Sequence, residues 1–199
     1  MMLEIVDFDH RTSGIDGLVV LTMKQVTDER GTIREFFRAS AFEAAGVGSV
    51  GTFRQMNLTE SRYGAVRGLH AEAMTKLVAV VVGDALGAYV DLRPASPTYG
   101  AVETVRLVPG TQVLVPRGVA NGFQALADAT QYVYCFDGEW QPDMAGSACS
   151  PLDPDLGVEW PVRVDADDPS QVSVKDRSLP TRAQVMAGLR AGQQTEVNE

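Results

Sequence analysis

The sequence predicts an all-β protein, a sandwich or barrel of short strands, on three observations. Its apolar runs are short, rich in valine and bounded by Gly, Pro, Asp and Ser. Residues 101–107 alternate apolar with polar side chains, as a half-buried antiparallel strand does. Helical signal is confined to two places. Repeated short strands of this kind close into sandwiches or barrels. With 199 residues, 45% of them hydrophobic, the chain has the length for one compact domain and a well-buried core over residues 1–199.

Along the chain, the first strand is expected at 17–21. A short helix follows at 40–46, with Ser40 as its cap and Gly46 as its stop. Further strands are expected at 76–82, 88–92, 101–107, 111–115 and 130–136, each β-branched or aromatic and flanked by turn residues. Residues 151–178, dense in Asp and Pro, read as an irregular wrap poor in strands. The second helix is expected at 180–191, with Thr181 as N-cap, and residues 192–199 as a frayed polar tail. There is no solenoid-type repeat, low-complexity tract or linker.

Composition narrows the function. The 17 Lys+Arg against 26 Asp+Glu give a net charge of −9, which would repel nucleic acid and anionic membranes. A compact anionic ligand remains allowed, because it answers to local charge. Cys135 and Cys149 are too few for a disulfide framework, and no Cys/His cluster suggests structural zinc. No export signal or run of 18 apolar residues is present, so a cytoplasmic protein is expected.

Two segments carry a turn-and-ligand pattern: Gly64-Ala65-Val66-Arg67-Gly68-Leu69-His70-Ala71-Glu72, closing at Gly83, and Gly110 through Pro116-Arg117-Gly118-Val119-Ala120-Asn121. Their spacing resembles the paired motifs of the cupin superfamily. That resemblance implies a jelly-roll barrel, here with short peripheral helices and a C-terminal helix, in which residues 70, 72 and 121 converge at the barrel mouth. Metal-binding cupins place three histidines and a carboxylate there. His70, Glu72 and Asn121 are too poor in nitrogen donors for a tight transition-metal site, so no metal and no cofactor is expected.

Further pieces occur in one order: Asp28-Glu29-Arg30-Gly31 with Glu35, Gln55-Met56-Asn57, Arg67-Gly68-Leu69-His70, Lys76-Leu77-Val78, Val90-Asp91-Leu92-Arg93 through Tyr99-Gly100, Pro116-Arg117-Gly118, Gly122-Phe123, Asp153-Pro154, Trp160-Pro161 and Lys175-Asp176. Over roughly residues 28–180 this series resembles the dTDP-4-dehydrorhamnose 3,5-epimerases and related deoxysugar epimerases, a metal-free cupin family. The resemblance implies an isomerase that inverts C3, C5 or both of a dTDP-4-keto-6-deoxyhexose. A ketone acidifies the neighbouring C–H bonds, so such a reaction needs a base, a group that stabilises the enolate oxygen, and an acid on the far face.

By the same resemblance His70 is the base and Asp176 its carboxylate partner. Tyr134 is the group that returns or directs a proton from the far side, and Lys76 lies near the keto oxygen. Taken alone, Asp176 reads as a solvated charge, Lys76 as a lysine opening a strand, and Tyr132 and Tyr134 as two strand aromatics on one face. Arg30 and Arg67 match sugar or diphosphate contacts. Glu35, Gln55 and Asn57 match positions that contact the base or scaffold the pocket. Residues 28–76 hold seven Lys/Arg and six Asp/Glu, against two and ten in residues 135–176, so cationic charge gathers where the ligand would sit. The family also implies a homodimer in which an N-terminal strand, within residues 1–27, crosses to the partner.

Four departures stand out. Asn121 replaces a histidine that helps hold substrate, Trp140 a stacking tyrosine, and Ile33 a phenylalanine; the stretch from His70 to Lys76 is short. They leave open which sugar, nucleotide and carbon are concerned. They also leave open a sugar-nucleotide 3,4-ketoisomerase, a cupin that binds a nucleotide sugar without turnover, or a metal-dependent oxygenase.

Overall fold

The computed structural model describes residues 3–47, 52–142 and 144–196. Among the described residues fourteen strands pair antiparallel in three sheets. Six of them, β2 (Asp9–Thr12), β3 (Val19–Thr22), β11 (Thr111–Val115), β8 (Lys76–Val82), β13 (Thr130–Phe136) and β6 (Gln55–Ser61), form one wall in that order. The facing wall has five strands: β10 (Val102–Leu107), β9 (Ala85–Asp91), β12 (Val119–Ala125), β7 (Val66–Glu72) and β14 (Gly146–Ala148). A separate three-stranded sheet joins β1 (Glu4–Val6), β4 (Lys24–Asp28) and β5 (Gly31–Glu35).

The period of two residues along a strand explains the layering. Val78, Val80, Val113, Val115 and Tyr132 from one wall meet Tyr89, Val105, Leu107, Phe123 and Ala125 from the other in a closed core. Phe123 and Tyr132 stack across it with ring centroids 4.1 Å apart and planes 8° apart. The alternate residues of the same strands face outward and are buried again. Leu77, Leu114 and Cys135 lie under Phe42 of α1 (Ala39–Ala44), while Leu69, Val90, Ala120 and Cys149 lie under Leu156 and, in α3 (Arg182–Glu196), Val185, Met186 and Leu189. Burial on both faces is why β8 reads as an unbroken apolar run. Burial also pushes the thiols up, Cys135 to about 11 and Cys149 to about 12, the latter aided by Asp153.

Several expectations need correction. The first helix begins one residue earlier, with Arg38 as its N-cap and no side-chain cap, so Ser40 is inside it; Gly46 (φ +63°) follows its end. Thr181 caps α3 reciprocally: Gln184 N–H donates to Thr181 Oγ1 and Thr181 N–H to Gln184 Oε1. The helix runs on to Glu196 rather than stopping at 191, and residues 197–199 lie outside the described residues. Residues 151–178 hold no strand, yet they contain a 3₁₀ turn and a third helix, α2 (Val174–Arg177), capped by Ser173, which sequence periodicity cannot reveal in so few residues.

Candidate active site

The barrel mouth is set by a close approach of β7 and β12. A Cβ on Gly68 would lie 2.6 Å from Gly122 Cα, and one on Gly122 would lie 2.4 Å from the Arg67 carbonyl oxygen. Only glycines allow this approach, and Gly68 also has φ +113°. The pairing shifts register between Asn121 and Phe123, which sets Asn121 opposite His70. At the end of β7 a three-residue connection, Ala73-Met74-Thr75, leads straight to β8 in the other wall, so Glu72 and Lys76 face each other across it.

A cavity of about 210 Å³ opens between the walls. His70, Glu72, Arg67 and Gly68 reach it from β7, and Asn121 from β12. Tyr134 and Phe136 reach it from β13, Asn57 and Thr59 from β6, and Trp140 from the segment after β13.

His70 and Asp176 form a pair. Nε2 of the imidazole lies 3.0 Å from Asp176 Oδ1, and the Asp176 carboxylate also accepts from the Gly68 N–H at 3.5 Å. The Ser173 cap of α2, accepting from Asp176 N–H at 3.0 Å, holds the aspartate in place. Burial pushes this carboxyl upward, but the hydrogen bond and charge of His70, with Gly68 N–H and Ser173, outweigh it and hold it below its usual range. An ionised partner fixes the imidazole and stabilises its protonated form.

Tyr134 faces His70 from the opposite wall, its ring parallel to that of Phe136 (4°, centroids 5.8 Å apart). Burial pushes its phenol well up; Arg67 opposes, while Glu72 and Asp176 add to the rise, so the phenol keeps its proton. Arg67 is steered by Ser61 Oγ, which accepts from its Nε at 2.9 Å. The Trp140 backbone N–H donates to Gln55 Oε1 (2.7 Å), and Gln55 Nε2 in turn donates to Asn57 Oδ1 (3.1 Å).

Not every expected residue lines the cavity. Lys76 lies behind its wall, 1% exposed, with its ammonium donating to Glu72 Oε2 at 2.5 Å, to Asn121 Oδ1 and to the His70 carbonyl at 3.1 Å. Gln55 stands one layer back, supporting Trp140 and Asn57. Arg30 and Glu35 belong to the separate three-stranded sheet, Arg30 paired with Asp28 and Glu35 with Arg38; Ile33 on the same sheet is exposed. Thr59, Gly68, Glu72 and Phe136 line the cavity although none was expected to bind substrate. Three of them lie two residues beyond a named one (57, 70 and 134), so strand alternation carried the signal.

The donor set does not suit a transition metal. Nε2 of His70 is engaged by Asp176, while Glu72 and Asn121 turn oxygens to the Lys76 ammonium. Among the described residues no group of three or more His, Cys, Asp or Glu side chains is arranged to hold a metal ion.

Fold and cavity together define a cupin-type barrel whose cavity has a carboxylate-paired imidazole on one wall and a protonated phenol on the other. Comparison with known proteins agrees. The family model described as dTDP-4-dehydrorhamnose 3,5-epimerase matches residues 12–184. A dTDP-4-dehydrorhamnose 3-epimerase of Streptomyces niveus is 34% identical over 157 residues, 76% of this chain and 75% of that one. A dTDP-4-dehydrorhamnose 3,5-epimerase of Methanothermobacter thermautotrophicus is 34% identical over 177 residues, 86% and 93% of the two chains. The crystal structure of a 4-keto-6-deoxy sugar epimerase from the novobiocin gene cluster of Streptomyces spheroides superposes with a TM-score of 0.84 at 29% identity, covering 94% of each chain. The chain belongs to the dTDP-4-dehydrorhamnose 3,5-epimerase family. No helix among the described residues is long and apolar enough to cross a membrane.

Proposed function

We propose that this protein is a cytoplasmic, cofactor-independent epimerase of a dTDP-4-keto-6-deoxyhexose, inverting C3, C5 or both. The observation that carries the reading is the placement of the His70–Asp176 pair and Tyr134 on opposite walls of one cavity. His70 takes the proton α to the ketone, giving an enolate and an imidazolium that Asp176 stabilises. Tyr134 delivers a proton to the other face of the same carbon, and configuration inverts. Arg67 meets the diphosphate or sugar, with Asn57, Asn121 and Trp140 as further contacts and Gln55 behind them.

Arg30 and Glu35 fit this reading as residues lent to the site of a second copy in a homodimer. Their sheet contributes nothing to the cavity of its own chain, and it carries an apolar stripe, Ile5, Val26 and Ile33, paired in register. Ile5 and Ile33 are 56% and 75% exposed, and so is much of Met56 and Leu58 on the edge strand β6. Such a stripe suits an interface.

The deciding experiment is incubation with the 4-keto sugar nucleotide in heavy water. Label is expected at C3, C5 or both, with His70→Ala lowering its rate by about a thousandfold or more. Label at C3 alone makes the protein a 3-epimerase; full labelling by His70→Ala refutes the assignment of the base. A product with its carbonyl moved to C3 would make it a ketoisomerase, and bound nucleotide without exchange a binding protein. Mixing Arg30→Ala with His70→Ala chains tests the dimer: hybrids would restore one intact site and recover activity.

A further inference from the structure

Lys76 is the most deeply buried charge beside the cavity, and its surroundings are complete. A lysine ammonium has three N–H donors. Here Glu72, Asn121 and the His70 carbonyl take all three. The arrangement also fixes Asn121: an ammonium only donates, so the amide must turn its oxygen toward Lys76. Its Nδ2 then points into the barrel beside Tyr132, where neither it nor the Tyr132 hydroxyl has a hydrogen-bond partner of good geometry among the described residues.

Charge balance around Lys76 depends on one residue. From the neighbouring strands β11 and β13, Val115 and Phe136 stand in register with it; β12 offers the neutral Asn121. The phenols of Tyr89, Tyr132 and Tyr134 are held protonated by burial. His70, on β7, presents its backbone carbonyl, and its ring is turned to Asp176. Glu72 is therefore the group in contact that can keep the amine charged. Burial pulls Lys76 below its ordinary value and Glu72 pushes back. An amine that lost its proton would also leave the Glu72 carboxylate unpaired in a cavity that must accept a diphosphate and a developing oxyanion.

We propose that Glu72 and Asn121 are positioning residues for Lys76, clamping its ammonium behind the cavity wall and, through Glu72, keeping it charged. The ion pair thereby neutralises Glu72, the carboxylate that lines the cavity, so that no bare negative charge faces the oxyanion the reaction builds. That consequence for catalysis rests on the epimerase reading, whereas the clamp itself does not.

The chain has three lysines, Lys24, Lys76 and Lys175, so 15N-lysine labelling of the full-length protein yields few signals, and Lys76→Arg identifies the one from Lys76. Glu72→Gln is expected to lower the titration midpoint of Lys76 by about one pH unit or more, and Asn121→Asp to raise it. Glu72→Gln/Asn121→Asp moves the carboxylate to the other side of the ammonium and should return the midpoint toward the wild-type value. In the exchange assay Lys76→Met, which leaves the Glu72 carboxylate bare at the cavity, should lower kcat roughly tenfold or more, and Lys76→Met/Glu72→Gln should recover part of it. An unchanged Lys76 titration in Glu72→Gln, or no return in the double variant, overturns the proposal. If Glu72→Gln does not fold, the upward shift in Asn121→Asp decides. Titrations that move as expected in a protein that exchanges no carbon-bound proton uphold the clamp and sink the epimerase reading.

Discussion

His70 and Tyr134 sit on different sheets, β7 and β13, and line one cavity from opposite sides. A base and an acid so placed meet the two faces of any ring held between them. Inversion needs that arrangement, because a single group returning its own proton would restore the starting configuration.

Tyr134→Phe separates abstraction from inversion. It removes the far-side proton and leaves His70–Asp176 intact. Solvent label should still enter the substrate through His70, while inverted product falls by about a hundredfold. The measurement is isotope incorporation against product stereochemistry in the same sample.

Asp176→Asn keeps the shape of the pair and removes its charge. The imidazolium formed on abstraction loses its stabilising partner, and kcat should fall by about a hundredfold or more. The chain has two histidines, His10 and His70, so 15N spectra of the ring nitrogens should show one tautomer change, at His70.

Asp91→Asn tests the fold rather than the site. Burial raises the Asp91 carboxyl, but Arg93, Ser96 and Thr98 together bring it down to about 2 from an ordinary 3.8. A depressed carboxylate stabilises the fold fully above the ordinary value, and the contribution fades as pH falls toward about 2. The substitution should cost about 2 kcal/mol at neutral pH, and the gap to wild type should close in acid, as read by urea unfolding at several pH values.

Gly122→Ala places a methyl 2.4 Å from the Arg67 carbonyl oxygen, a backbone atom that cannot swing aside. The strands must part, at a cost of about 2–3 kcal/mol, and Arg67 and Asn121 separate with them. A lowered melting temperature together with a raised KM is expected.

The strands that sequence resolved best are those buried on both faces. Residues 76–82, 111–115 and 130–136 are expected strands and coincide with β8, β11 and β13. By contrast β1, β2 and β5 expose most of their residues, so no apolar face repeats at period two to betray them. β12 escaped the strand reading because Asn121 and Gly122 interrupt its apolar run, although both matter for the site. His70 and Asp176 lie 106 residues apart, and no local spacing links them; the order of motifs did. The clamp on Lys76 was hidden for the opposite reason. Glu72 was read as a failed ligand position, and its partner four residues on reaches it only because the chain turns from one wall into the other.

The stack of Phe123 on Tyr132 lies between the same two walls that carry His70 and Tyr134. The two walls bear on each other there, beneath a cavity whose lining includes neither ring. Trimming either ring would open a void that the walls close only in part, and bulkier replacements would wedge them apart. Such substitutions would reach the shape of the cavity without altering any residue that lines it.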